Sequence, residues 1–235
     1  MNMNKVLATL TLVSAVSLST QAQGLINFTP GAQKISINSV INGPATGTVP
    51  ANASTTATTY YYALFASASA TTVGGTQTAA ITGYTGTAAA LQSTYAFADN
   101  SWELVDTGVN TTAGKFLGNE QNSVGTTTVP GIAGGSTAQF VVVGWNAALG
   151  TGISGLEQSL LTGGTSGWIG QTVVSGAITL GNGAAIPTSA LFGPGAPFLQ
   201  SFTLGAFTVP TPEPTSIALG VMGGLSLLAL RRKKA

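Results

Sequence analysis

The chain has 235 residues and contains neither cysteine nor histidine, which excludes disulfides, thiolate metal sites, a cysteine nucleophile and the commonest general base and metal ligand. Charged residues are 6% of the chain, against about 25% in a typical globular domain, so hydroxyl and amide groups must carry solubility. Lys5 and the four cations Arg231, Arg232, Lys233 and Lys234 lie at the two ends, leaving Lys34 and Lys115 against Asp99, Glu103, Asp106, Glu120 and Glu157; this slightly acidic middle has no basic stripe and excludes nucleic acid as an expected partner.

Residues 1–22 place Lys5 ahead of an apolar run from Val6 to Leu18 that ends in small and polar residues. That layout is a secretory signal peptide. Thr20 and Ala22 occupy the third and first positions before a cleavage point, so signal peptidase is expected to cut between Ala22 and Gln23.

Residues 23–209 then show short runs of β-branched and aromatic residues separated by Gly, Pro, Asn and Ser, the spacing of strands joined by turns. Strands are expected over 24–28, 34–41, 59–66, 102–109, 138–145, 168–180 and 198–209. Ile35, Ile37 and Ile41 share a face opposite Ser36 and Asn38, which suits an outer strand. The run from Phe140 to Trp145 is apolar on both faces and predicts a central, doubly covered strand. Helix is expected only over 88–96 and 155–161, too little to cover a parallel sheet. Residues 43–58 and 119–135 are expected to be loops. The resulting expectation is an all-β domain, most simply an antiparallel β-sandwich with a jelly roll or partly open barrel as alternatives.

Within this domain the motif matches are weak. Gly150, Gly152 and Gly155 spell G-x-G-x-x-G, but no acidic residue follows at the required distance and no second βα unit is present. The stretch from Gly108 to Lys115 has one residue too many for a P-loop and Phe116 where a hydroxyl should follow. Asp99, Asn100, Glu103 and Asp106 are the one cluster of oxygen ligands, and an ordinary polar turn accounts for them better than calcium does. Tyr60, Tyr61, Tyr62, Trp102, Trp145 and Trp168 offer aromatic faces for sugar rings, although strand aromatics more often build the core. Glu103 and Asp106, three apart on one strand, are expected on opposite faces and so unable to act as a glycosidase pair. No catalytic residue, metal site or cofactor is assigned.

Residues 210–235 contain Pro212, Glu213 and Pro214, an apolar stretch over 217–230, and the Arg231–Lys234 tail. Prolines exclude the helix interior, so a helix should start after Pro214. At 1.5 Å per residue the apolar stretch is about 21 Å long, short of a bilayer core of about 30 Å. The basic tail should stay cytoplasmic while everything before it is exported.

The Pro212–Glu213–Pro214 triplet, the short span with Gly220, Gly223 and Gly224, and the basic end together resemble the PEP-CTERM sorting signal. That resemblance implies recognition of the triplet by an exosortase, transient residence in the inner membrane through a transmembrane helix, and delivery to the cell surface or an exopolysaccharide matrix. It implies a destination and not an activity. The expected function is that of a non-enzymatic surface or matrix protein, with a carbohydrate-binding module as the alternative. The scarcity of charge also allows self-association through sheet edges.

Overall fold

The computed structural model describes residues 23–38, 47–55, 58–83, 94–118, 125–162, 166–183 and 185–208. The expected signal segment through Ala22, the triplet at Pro212 to Pro214, the span at 217–230 and the tail at Arg231 to Lys234 lie outside them. Strand is the dominant regular structure of the described residues, in sheets that are largely antiparallel. Among them no helix is long and apolar enough to cross a membrane.

Three strands form a small sheet. β1 (Gln23–Asn27) lies in its middle, antiparallel to β8 (Thr126–Ala133) and parallel to β12 (Ser189–Ala190). Alternation explains β1: Gly24 and Ile26 are buried while Gln23, Leu25 and Asn27 are not.

The large sheet has a central trio: β4 (Tyr60–Ser67), β9 (Thr137–Asn146) and β10 (Ser166–Gln171), with β9 between the other two. Beyond β4 lie β6 (Glu103–Asn110) and β7 (Phe116–Gly118); beyond β10 lie β13 (Thr203–Thr208), β2 (Ser36–Asn38) and β3 (Gly47–Thr48). Two short strands attach at the side, β5 (Ile81–Thr82) to β10 and β11 (Ile178–Thr179) to β9.

The central position expected for the Phe140–Trp145 run is found in β9. Phe140 and Val142 enter a core that also holds Ile26 of β1 and Val129 of β8, so this core lies between the two sheets. Val141, Val143 and Trp145 enter a second core on the opposite face, closed by helix α1 (Gly152–Thr162) and the 3-10 turn Ala96–Ala98. Leu156 and Leu160 of α1 are fully buried there, with Ile153 packed beside them at helical spacing.

Several elements differ from expectation. Residues 119–135 were expected to form a loop, yet β8 occupies most of that stretch that is described. Its hydroxyl-rich run alternates: Thr127 and Val129 are buried, and Thr126 and Thr128 face outward, so threonine supplies the β-branched pattern that a hydropathy reading discounts. β2 is not an outer strand, because β13 pairs on one side and β3 on the other. The 168–180 run is not continuous. After Gln171 the Thr172 and Ser175 N–H groups still donate to the Val142 and Phe140 carbonyls, each at 2.9 Å. The return bonds go to side chains, Val142 N–H to Thr172 Oγ1 at 3.0 Å and Phe140 N–H to Ser175 Oγ at 2.8 Å, so hydroxyls stand in for one half of the ladder until β11. α1 starts three residues before the expected 155. Of the expected 88–96 helix, residues 88–93 lie outside the described residues and Ala96 opens the 3-10 turn. The expected 43–58 loop contains β3.

Candidate functional site

The register of β6 against β4 shifts between Leu64 and Phe65: Leu64 faces Asp106 and Phe65 faces Leu104, leaving Val105 as an extra residue. Such a bulge turns two successive side chains to one face. Val105 and Asp106 therefore both point toward the core between the sheets, as does Glu103, which pairs with Ala66. The expectation that Glu103 and Asp106 lie on opposite faces is thus corrected. Strict alternation fails because the bulge inserts one residue between them.

Glu103 opens onto a cleft of about 250 Å³ at one end of the two-sheet core. One wall is the end of β4 with Ala66 and Ser67; the other is Pro130, Gly131 and Ile132 of β8. Val105 and Ile132 line the apolar part, while Asn100 and Ser101 stand at the polar rim. Gly131 has φ +67, in the left-handed region that favours glycine. A Cβ there would meet only Glu103 Oε2, at 3.9 Å.

The rim is held from outside. Asp99 Oδ1 accepts the Ser101 N–H at 2.9 Å and Oδ2 accepts the Gly74 N–H at 2.8 Å. Trp102 Nε1 donates to the Thr72 carbonyl at 3.1 Å. Partial burial works against the charge on Asp99, but the N–H groups of Ser101 and Gly74 and the Ser101 hydroxyl outweigh it, and its carboxyl titrates below the ordinary range. On the β4 side Ser67 Oγ accepts the Ala70 N–H at 2.9 Å. The Glu103 carboxylate makes no hydrogen bond or ion pair with a described residue, and among the described residues it is the one charged group lining the cleft.

Of the four oxygen-bearing residues read from the sequence, Asn100 and Glu103 line the same cleft, and Asp99 and Asp106 do not join them. Asp99 accepts the backbone N–H groups of Gly74 and Ser101, Asn100 stands exposed at the rim, and Glu103 faces the cleft. Asp106 is buried further in, with Oδ1 accepting the Thr107 N–H at 2.7 Å and Oδ2 against Gly118. Among the described residues no group of three acidic residues could hold a metal ion.

The aromatic residues are distributed on both sides of the large sheet. Tyr60 and Tyr62 are buried in the core between the sheets, where Tyr62 stacks on Phe116 with ring centroids 4.3 Å apart. Tyr61 points the other way and packs against Trp145 at 5.7 Å. Trp102 and Trp145 are buried, and Trp168 is partly buried against the core between the sheets. The consecutive tyrosines thus serve two cores and present no open aromatic row. Burial raises the Tyr60 hydroxyl pKa, and burial followed by repulsion from a charged Tyr60 raises that of Tyr62 well above the usual value.

The glycine motifs also have packing roles. Gly150, with φ +115, lies against the backbone of Gly155 in α1, so the two glycines bring the loop onto the helix. Gly114, with φ +71, lies in the tight connection between β6 and β7 against Lys34 and Ile35. Sequence reasoning singled out Glu103 and Asn100 but missed Ser67 and the Pro130–Ile132 wall. The Pro-Gly pair at 130–131 signals a backbone irregularity, and the facing bulge has no residue signature.

No family model, curated protein or solved structure matches the chain.

Proposed function

We propose that this is a non-enzymatic exported protein whose β domain is delivered to the cell surface or extracellular matrix by PEP-CTERM-type sorting. The observation that carries this reading is the fit between the β fold and the interval left by the two terminal signals. Gln23, the residue expected to follow signal peptidase cleavage, lies in β1 and pairs with Ala133. Every described strand lies between the two expected processing points.

The two sheets packed across one core are read as a β-sandwich, with β1–β12 and β2–β13 as its parallel pairings. A non-catalytic role is supported by the places of the carboxylates: Asp99 is occupied by the Gly74 and Ser101 N–H groups, Asp106 sits inside, and glycoside hydrolysis takes a flanking pair. The partners are signal peptidase and an exosortase during processing, with transient residence in the inner membrane, and the proposed surroundings are exopolysaccharide.

The test is intact-mass measurement on protein recovered from the surface of its native host. The mature chain should start at Gln23 and lack Arg231 to Lys234. Replacing Pro212, Glu213 and Pro214 by alanine should trap the protein in the membrane fraction. Surface protein that still carries the basic tail would overturn the sorting reading.

A second reading, a carbohydrate-binding module, is favoured by the Glu103 cleft. Pull-down with the host's own polysaccharide separates it from a purely structural role.

A further inference from the structure

We infer that the Glu103 cleft binds a small hydroxylated ligand carrying a primary ammonium group, of the kind presented by a deacetylated amino sugar. The inference goes beyond the sorting reading and does not depend on the terminal segments.

Three features lead to this chemistry. The cleft encloses about 250 Å³, just below the range of about 300–1,000 Å³ usual for drug-sized ligands, so it suits one small unit rather than an extended chain. Its single charge is negative and has no cationic partner among the described residues. Lys34 and Lys115 are the two described lysines, and neither lines the cleft. A carboxylate placed this way on a domain with more acidic than basic residues attracts a cation.

The lining decides which cation. Calcium takes six to eight oxygen ligands, usually including more than one carboxylate, and here Asp99 is occupied by the Gly74 and Ser101 N–H groups and neither it nor Asp106 lines the cleft. An ammonium has three donors. Glu103 supplies the charged acceptor, and Asn100 and Ser101 supply neutral ones at the same rim. Opposite the rim, Val105 and Ile132 give an apolar surface for the carbon face of a ring. The open space over Gly131 is the place for the ammonium, beside Glu103 Oε2. The loop bonds of Asp99 to Gly74 and Ser101 hold the rim in place before any ligand arrives.

The test is calorimetric titration of the full-length chain in detergent with glucosamine, N-acetylglucosamine and glucose at about pH 6, where the free amine is protonated. Glucosamine should bind at least about tenfold more tightly than the other two, the size of one charge-assisted hydrogen bond. Glu103→Gln should lower glucosamine affinity by at least about tenfold. Glu157→Gln, a carboxylate change on α1, should leave it unchanged. Because the Glu103 side chain is exposed and bonds no described residue, its substitution should not unfold the domain, and circular dichroism checks this. Asn100→Ala provides a second variant with a smaller loss. Equal binding by the wild type and Glu103→Gln overturns the inference. So does equal affinity for N-acetylglucosamine, tighter binding of free lysine than of glucosamine, or binding of calcium in place of the amine.

Discussion

The Tyr60 backbone N–H donates to Asn110 Oδ1 at 2.9 Å, joining the first residue of β4 to the last residue of β6. Asn110 Nδ2 donates in turn to the Pro50 and Thr58 carbonyls at 2.9 and 2.7 Å. One side chain, only 1% exposed, thereby satisfies three backbone groups from two chain segments. Asn110→Ala leaves all three without that partner, and unmade buried bonds are costly. The expected loss is about 2–4 kcal/mol, read from urea denaturation. A loss under about 0.5 kcal/mol, the scale of an ordinary surface substitution, would contradict this role.

Gly150 and Gly152 are predicted to differ sharply under the same substitution. Both have positive φ, but a Cβ at Gly150 strikes the Gly155 backbone, whereas at Gly152 it meets nothing within 4 Å. Gly152→Ala should cost about 1–2 kcal/mol from conformation alone. Gly150→Ala should cost more than about 3 kcal/mol, since loop and helix must separate. Equal losses in thermal unfolding would show that the Gly150–Gly155 approach matters little.

This contrast also shows how far the sequence was legible. The two-sided apolar run of β9 and the half-alternating β1 reveal themselves because burial follows side-chain pattern directly. β8 does not, because Thr126 to Thr128 read as polar although threonine is β-branched and alternates there like any strand residue. The cleft was only half visible. Glu103 and Asn100 are conspicuous in a chain with so little charge, but their position depends on the Val105 bulge and on a wall about thirty residues further along the chain. No local periodicity encodes that pairing.

Asp99 predicts a specific acid dependence. Its native carboxyl titrates below the ordinary range, so the unfolded chain takes up the proton first on acidification. Its contribution to stability is present above about pH 4, the unfolded value, and is lost as pH falls through the lower native value. Asp99→Asn should therefore be less stable than the wild type near neutrality, with the difference shrinking below about pH 4. Denaturation midpoints across that range provide the check, and a difference that stays constant would remove Asp99 from the acid response.

Tyr62 predicts the opposite limb. Its hydroxyl is buried with no hydrogen-bond partner among the described residues, and its pKa is raised by burial and then by Tyr60. The unfolded chain releases this proton near pH 10, about the free value, while the folded chain retains it. Stability is thus intact below about pH 10 and falls as pH rises from there toward the native value. Tyr62→Phe removes one such group, so its alkaline loss should be shallower. At neutral pH the change should be under about 1 kcal/mol, because no native hydrogen bond is broken. A large neutral-pH loss would show that the hydroxyl has a partner.

The final prediction concerns association between copies. The large sheet ends in β3 and β7, of two and three residues, and one end of the small sheet is the two-residue β12. Strands this short give a neighbour little to pair with. Among the described residues the longest strand at the end of a sheet is β8, which has eight residues and no charged side chain to repel another copy. It is interrupted instead. Pro130 lacks an N–H, Gly131 takes a left-handed φ of +67, and the pairing with β1 jumps from Val129 to Ala133. A proline and a kink on an outer strand are the devices that stop edge-to-edge growth when charge is absent. The wild-type protein should therefore be monomeric by light scattering in both low and high salt. Pro130→Val restores the donor and the β-branched pattern, and should shift the protein toward dimers and larger species as concentration rises. If the wild type itself forms higher species at low concentration, the interruption does not guard the edge; if the variant stays monomeric, Pro130 is not what guards it.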